Sequence, residues 1–356
     1  MTPKERVYTS MRHRMPDRIP LFYRDVPDVE ERLLKDLKLE TRDELLEFLG
    51  IDFRWVRPEY VGPSLENKDT GLCKNIFGVE YKYVPAGHGG HWEPVSFPLQ
   101  NVSNPEALED YSWPSTDWFD FSVLEGQLTK YGDYAIMTAP GVDSSPGVLT
   151  VIQDLIGMER AMADMLINPD FYHALIEHIM EFNLAYIKKM YDVAGNRIDF
   201  FRIGEDYGSQ QGLLFGIEQW KEFIQPTLLK MSEIPKKNHS YYYQHTCGGV
   251  AALIPLLIES GVDVLDPVQI TAKGMDPREL KDRYGDKLCF SGGIDEQQVL
   301  PNGTPEQVRD EVIRILNIMG KDGGYFVAPT HNFQADIPTE NIVAMYAAAR
   351  EWNYQE

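Results

Sequence analysis

The chain has 356 residues, of which 43% are hydrophobic, and it carries a formal net charge of −21 at pH 7. This length and composition are typical of a globular protein, and the acidic balance argues against nucleic acid and anionic membranes as main partners. Three cysteines make no disulfide framework, and the sequence shows neither a signal region nor an apolar run of membrane-spanning length, so we expect a cytoplasmic protein with reduced thiols.

The beginning of the chain predicts alternating helices and strands. Thr2 and Thr41 each precede a glutamate by three residues, and this capping-box pattern marks the beginning of a helix. The apolar segments 18–25 and 52–56 are short and bounded by polar residues, which predicts the first two strands.

Residues 57–130 interrupt this alternation. Segments 79–84 and 92–97 are β-prone and flank a glycine-rich tip at residues 87–91, which predicts a β-hairpin. We interpret residues 57–130 as an excursion from the main body near the mouth of a pocket. Its aromatic residues would line that pocket or, as the simpler alternative, serve ordinary packing.

From residue 134 onward the alternation is regular. Helical periodicity predicts, among others, helices at 148–165, 170–193 and 217–232, the last with a kink at Pro226. Eight strands are predicted in all, around residues 21, 54, 136, 202, 243, 265, 290 and 327.

Eight strand–helix units favour an α/β protein with a single (β/α)₈ TIM barrel domain over residues 1–356. An open doubly wound sheet is the alternative. That fold requires a glycine-rich turn after the first strand, and the sequence has none there.

A His-x-Cys pair ends the fifth predicted strand. His245 and Cys247 point to the same face of that strand, and imidazole and thiolate are ligands that zinc prefers. Taken alone, such a pair is more often a buried cysteine beside a hydrogen-bonded histidine. In a barrel, however, the carboxyl ends of the strands meet at one rim, and His331 follows the eighth strand. His245, Cys247 and His331 are therefore predicted to bind zinc and to leave a fourth position open.

Further polar residues end the same predicted strands. Asp266 would complete the zinc site or orient a histidine ligand, and Glu205, Asp206 or Asp266 would act in proton transfer. Glu205 and Asp206 are adjacent, so at most one faces the site; which one is open, with Asp206 preferred. For an aspartate in such a loop, a helix cap is the simpler alternative. Three more residues are predicted to contact the substrate: Arg24, Trp55 and Asp295.

The chain resembles the uroporphyrinogen decarboxylase superfamily over nearly its full length. The resemblance lies in GVDVLDPVQ at 261–269, in KLCFSGGID at 287–295, in DMLINPDFYHALIEHIMEF and in the run 304–352. The fold of that family is a (β/α)₈ barrel. Its decarboxylases carry a Met-Arg-Gln-Ala-Gly-Arg segment after the first strand, whereas this chain reads Phe-Tyr-Arg-Asp-Val-Pro at residues 22–27.

GEDYGSQQG at 204–212 and PTHNFQADIPTEN at 329–341 look like the branch of zinc-dependent, corrinoid-linked methyltransferases that includes methoxyl-demethylating enzymes. In that branch a His-x-Cys pair and a later residue hold zinc. Coenzyme M methyltransferases have cysteine at the later position, where this chain has His331. The resemblance implies methyl transfer between a small donor, with an aryl methyl ether favoured, and a corrinoid (cobalamin) on a separate protein.

Two alternatives to methyl transfer are open. One is a metal-free decarboxylase of the uroporphyrinogen type, against which the missing arginine cluster counts. The other is a non-catalytic barrel that binds a corrinoid or another tetrapyrrole. The sequence does not indicate the oligomeric state.

Overall fold

A computed structural model of the chain describes residues 1–67, 70–86, 89–139 and 147–352. Within these ranges, seven parallel strands form one sheet, in which each strand pairs with the next in chain order. The strands are β1 Phe53–Val56, β2 Ala135–Thr138, β3 Phe200–Gly204, β4 Tyr241–His245, β5 Val264–Val268, β6 Cys289–Ile294 and β7 Tyr325–Pro329. Helices connect them, as expected for an α/β protein.

The capping boxes predicted at Thr2 and Thr41 are confirmed. In the described part of the chain, no helix has both the length and the apolar character needed to cross a bilayer. The longer α-helices are Pro3–Met11, Pro27–Leu37, Arg42–Leu49, Val148–Ile156, Met158–Ile167, Pro169–Ala194, Gln225–Lys237, Pro277–Tyr284, Pro305–Met319 and Thr339–Glu351. Shorter α-helices are Leu124–Lys130, Ile217–Gln219, Ile254–Glu259 and Val299–Asn302, and Pro105–Leu108 and Thr116–Trp118 are 3₁₀-helical.

The sheet curls until its two edges face each other. Phe53 of β1 contacts Phe326 of β7, with ring centroids 5.2 Å apart, and it contacts Phe200 of β3 at 5.4 Å. A flat sheet could not bring its first and last strands into contact in this way. These rings belong to a buried cluster that fills the inner face together with Met137 and Tyr243. The seven parallel strands therefore form a curled sheet with the shape of a half-barrel.

The predicted first strand is not a regular strand. Residues 18–25 form only isolated parallel bridges, one of them between Leu21 and Val327. Pro20 has no N–H to donate, so a continuous ladder is interrupted there. The Leu21 carbonyl nevertheless accepts the N–H of Asp52, at 3.0 Å, immediately before β1. Segment 18–25 thus links β7 to the start of β1 without becoming an eighth strand.

Two predicted helices are also corrected. Segment 148–165 forms two helices because Gly157, with φ +87°, separates them. The irregularity in segment 217–232 is a π-helical turn at Trp220–Ile224, immediately before the predicted kink at Pro226. Proline has no N–H, so the carbonyl four residues earlier lacks its usual α-helical donor.

Residues 57–130 contain a four-stranded antiparallel sheet of Glu66–Asn67, Leu72–Lys74, Glu80–Ala86 and Gly89–Pro94. Gly87 and His88, at the predicted tip, lie outside the described residues. The Tyr83 hydroxyl donates to the Asp28 carboxylate at 3.1 Å, which joins this sheet to the helix that follows segment 18–25. A role for the sheet in covering a pocket stays a prediction. Two short antiparallel pairs are Glu59–Tyr60 with Phe119–Asp120, and Gly208–Ser209 with Gly212–Leu213.

The buried carboxylate of Asp52 connects segment 18–25 to the start of β1 through hydrogen bonds. Asp52 is fully buried, and its oxygens accept hydrogen bonds from Arg6 Nη1 at 2.6 Å and from Arg18 Nη1 at 2.8 Å. It also accepts the N–H of Leu21 at 2.8 Å. Asp17, the other acid bonded to Arg6, has a side chain that is 40% exposed.

We expect Asp52→Ala to lower the free energy of unfolding by about 3–5 kcal/mol, because two guanidinium groups lose a buried partner. Asp17→Ala is the matched control and should cost less, about 1 kcal/mol, since Asp17 is exposed and Arg6 keeps its buried partner Asp52. Urea unfolding followed by circular dichroism measures both. Equal losses in the two variants would contradict a special role for Asp52.

Candidate metal centre

The ends of two strands bring three metal-binding side chains together. His245 is the last residue of β4, Cys247 lies two residues further on, and His331 follows β7. One nitrogen of each histidine and the Cys247 sulfur all lie within 4.8 Å of one another. His245 Nε2 and Cys247 Sγ are 3.5 Å apart. Nitrogen and sulfur ligands of one tetrahedral zinc ion are expected about 3.6 Å apart, from ordinary bond lengths.

A buried ion pair orients His245. Asp266 on β5 is fully buried, and its Oδ2 accepts a hydrogen bond from Arg24 Nη1 at 2.6 Å and lies 2.7 Å from His245 Nδ1. Burial by itself raises the pKa of Asp266, but the Arg24 charge and the His245 hydrogen bond outweigh it and hold the pKa below its usual value. The ionised carboxylate can only accept. We infer that His245 Nδ1 carries the proton and that Nε2 presents its lone pair towards Cys247.

Arg24 Nη1 also lies 2.7 Å from His245 Nδ1. A guanidinium only donates, and Nδ1 is itself the donor to Asp266, so the two groups share the carboxylate and do not bond to each other.

The surroundings favour the metal-binding form of both histidines. Burial lowers the pKa of His245, and the Arg24 charge lowers it further. Burial, Arg24 and His245 lower the pKa of His331 to about 4. Neutral imidazole is the form that binds a metal. Burial, and after it the charge of Asp206, raises the pKa of the Cys247 thiol, so a thiolate here requires a cation beside it.

The adjacent acids Glu205 and Asp206 have different surroundings. Asp206 Oδ1 accepts the backbone N–H of Cys247 at 2.7 Å and lies 4.0 Å from His245 Nε2. Glu205 is buried, and its Oε2 accepts the N–H of Leu149, in the first turn of a helix, at 2.8 Å. Burial raises the pKa of Glu205 to about 7. The structure thus places Asp206 beside the candidate ligands and Glu205 at a helix N-terminus.

The residues predicted to contact the substrate occupy different places. Arg24 and Trp55 line a cavity of about 540 Å³ that reaches Asn332, the residue after the last candidate ligand. Asp295 is buried, and its Oδ1 accepts the N–H of Gln297 at 2.8 Å, so this carboxylate is engaged in a local turn.

Sequence reasoning missed two charged groups at this end of the barrel. Arg202 is only 9% exposed and lies within β3, where it is the one charged residue in an apolar run. Glu296 Oε1 lies 3.8 Å from His331 Nδ1, and burial raises the pKa of Glu296 to about 8. The signal for Glu296 was its position after Asp295, at the end of a predicted strand.

A family model described as uroporphyrinogen decarboxylase (URO-D) matches residues 143–352. The chain belongs to the URO-D family. Its curled parallel sheet, with polar groups gathered at the strand ends, agrees with the barrel fold expected from the resemblance.

Several proteins similar to this URO-D family member carry methyltransferase names. A methylated-thiol–coenzyme M methyltransferase of Methanosarcina mazei is 25% identical over 72% of this chain, and the match spans 65% of that protein, slightly under two thirds. The methylcobamide:CoM methyltransferase MtbA of Methanosarcina acetivorans is 22% identical over 99% of both chains. A solved structure of a methyltransferase from Methanosarcina mazei aligns over 99% of both chains with a TM-score of 0.68 and 17% identity, which shows a shared fold.

The residues present in this URO-D family member fit zinc. Two imidazoles and one thiolate are three donors of the kind that zinc takes, and a carboxylate behind a histidine ligand is its common outer partner. Three protein ligands with a fourth position for water or substrate are typical of catalytic sites, whereas structural sites have four protein ligands.

We expect Asp266→Asn to weaken zinc binding by about 10- to 100-fold, because the amide no longer fixes the His245 ring as a carboxylate does. Competition with a chromophoric chelator measures the affinity, and circular dichroism verifies the fold. Asp263→Asn is the matched control: Asp263 precedes the same strand and accepts the N–H of Tyr242 at 2.7 Å, at the opposite end of the sheet. Equal affinities for Asp266→Asn and wild type would rule out an orienting role.

Proposed function

We propose that this URO-D family protein is a corrinoid-dependent methyltransferase that moves a methyl group between a small donor and a corrinoid on a separate protein. The observation that carries the proposal is the clustering of His245, Cys247 and His331 at the carboxyl ends of β4 and β7. The names of its relatives support it, including a methylcobamide:CoM methyltransferase that matches 99% of the chain.

His245, Cys247 and His331 would hold zinc, which when bound supplies a Lewis acid for the heteroatom that carries the methyl group. Cys247 contributes one negative charge to this ligand set, and the two histidines contribute none. The loaded site would therefore have a formal charge of about +1, compared with zero for a set with two thiolates. A positive site favours departure of an ether oxygen, so an aryl methyl ether is the proposed donor.

Residues of the chain orient the methyl donor and supply a proton to the leaving oxygen. Asp266 and Arg24 fix the His245 ring, and Trp55 gives the cavity an aromatic wall against which an aryl ring can lie. When the bond between oxygen and methyl carbon breaks, the methyl group passes to the reduced corrinoid and the phenolate oxygen requires a proton. The Asp206 side chain is 53% exposed and lies beside Cys247, so it can relay that proton from solvent.

We expect wild-type protein, purified without added metal or chelator, to contain about one zinc per chain, since the cluster offers a single site. Cys247→Ala and His331→Ala should lose most of this zinc and with it methyl transfer from methoxyaromatics to a Co(I) corrinoid protein. Elemental analysis measures the metal, and the corrinoid absorbance change measures the transfer. His91→Ala removes an exposed histidine that contacts Glu93 and should behave as wild type.

Two results would contradict the proposal. One is wild-type protein that contains no zinc and does not take it up when it is offered. The other is a zinc-free Cys247→Ala variant that still transfers methyl groups. Turnover of a porphyrinogen, or tight corrinoid binding without turnover and unaffected by Cys247→Ser, would then identify the decarboxylase or the binding protein.

A further inference from the structure

Arg202 is a buried arginine on the inner face of the barrel. It follows Phe200, a residue of the inner core, by two positions on β3. Its side chain extends towards the carboxyl end of the strand, since Nη1 is 3.2 Å from the position that a Cβ on Gly204 would occupy. Gly204 pairs in register with His245 on β4. The Arg202 guanidinium is therefore level with the candidate metal ligands.

This guanidinium is not neutralised by the protein around it. Among the described residues, no acid lies within ion-pair distance of Arg202, and its Nε has no hydrogen-bond acceptor. Burial lowers the pKa of Arg202, and Asp266 offsets part of that effect. The Oδ2 atom of Asp266 is, however, already bonded to Arg24 and faces His245, and its Oδ1 makes no hydrogen bond to Arg202. Arginine keeps its charge when buried, so Arg202 requires an anion or water.

The neighbouring cavity offers an aromatic surface next to this charge. The Arg202 guanidinium carbon lies 5.9 Å from the centroid of the Trp55 ring, and Trp55 lines the cavity. The two acids in the cavity wall, Asp25 and Glu30, are both paired with Arg42. Arg202 is not itself part of the cavity wall. A ligand in the cavity contacts the Trp55 ring, and the Arg202 charge lies next to that ring.

We infer that Arg202 binds a carboxylate of the methyl donor, so that the donors are methoxylated aromatic acids and not neutral aryl ethers. The inference rests on the proposed function, because it assumes a small aromatic donor. The guanidinium presents N–H donors in one plane, and this arrangement matches the two oxygens of a carboxylate. The aryl ring of the donor would lie along Trp55, with its methoxyl group towards His245 and Cys247.

Binding measurements test this inference without requiring methyl transfer. In calorimetric titrations of the purified enzyme, we expect meta-methoxybenzoate to bind about 10- to 100-fold more tightly than meta-methoxybenzyl alcohol, which has a similar shape and no charge. Arg202→Met should abolish this preference and leave the affinity for the alcohol unchanged. Arg202→Lys should keep part of the preference, because it retains the charge but not the planar fork.

Arg278→Met is the matched control, since Arg278 is exposed on the helix Pro277–Tyr284 and should keep the full preference. The inference is overturned if wild-type enzyme binds the acid and the alcohol equally. It is also overturned if Arg202→Met, with the thermal midpoint of wild type, retains the preference. If Arg202→Met does not fold, Arg202→Lys is the deciding variant, and a preference for the acid as large as that of wild type would overturn the inference.

An anionic methyl acceptor is the other ligand that could bind to Arg202 through its negative charge. Titration with a thiol sulfonate and with the matching thiol alcohol distinguishes the two. A preference for the sulfonate that depends on Arg202, with none for methoxybenzoate, would overturn the donor assignment. Failure of the proposed function gives a different result. If the protein contains no zinc and transfers no methyl group but still binds methoxybenzoate through Arg202, the anion site is supported and only the proposed function is wrong.

Discussion

The buried carboxylate of Asp266 is the group on which this end of the barrel depends. It accepts a hydrogen bond from Arg24 and faces His245, so it joins segment 18–25 to β4 and β5. Arg24 also donates to the Pro329 carbonyl at the end of β7, at 3.3 Å. Breaking a buried ion pair costs about 3–5 kcal/mol, which holds these elements to one arrangement. The interaction that closes the strand ends is thus also the one that fixes the ring of a candidate zinc ligand.

The position of Cys247 depends on a turn that only glycine can make. Gly248 has φ +88°, and a Cβ there would lie 2.4 Å from the carbonyl carbon of Gly208. The Gly248 N–H donates to Gln269 Oε1 at 2.6 Å, which anchors the turn to the segment after β5. Because the chain turns sharply here, Cys247 stays beside His245 and does not continue along the strand direction. Gly248, the first residue after the His-x-Cys pair, is therefore part of the site.

The sequence predicted most of the parallel sheet and the candidate ligand set, for one physical reason. Parallel strands have a regular alternation with helices, and their carboxyl ends meet, so His245 and His331 could be placed together although 86 residues separate them. The features that the sequence did not predict depend on tertiary contacts. Segment 18–25 has the composition of a strand, but Pro20 interrupts its ladder. The surroundings of Glu205 and Asp206 depend on which helix lies behind β3.

The sequence did not predict a role for Arg202, because a single arginine inside an apolar strand only interrupts the apolar pattern. Its role depends on which groups surround it in the folded chain.

The chain as a whole has a net charge of −21, so its long-range field opposes the approach of an anion. That field is screened by salt within about 8–10 Å, whereas a buried guanidinium acts at contact and in a medium of low dielectric constant. An acidic enzyme can therefore bind an anionic donor only if a positive charge lies inside the site. Arg24 does not fill this role because Asp266 balances it, which leaves Arg202 as the unneutralised charge on the described inner face next to the ligand cluster.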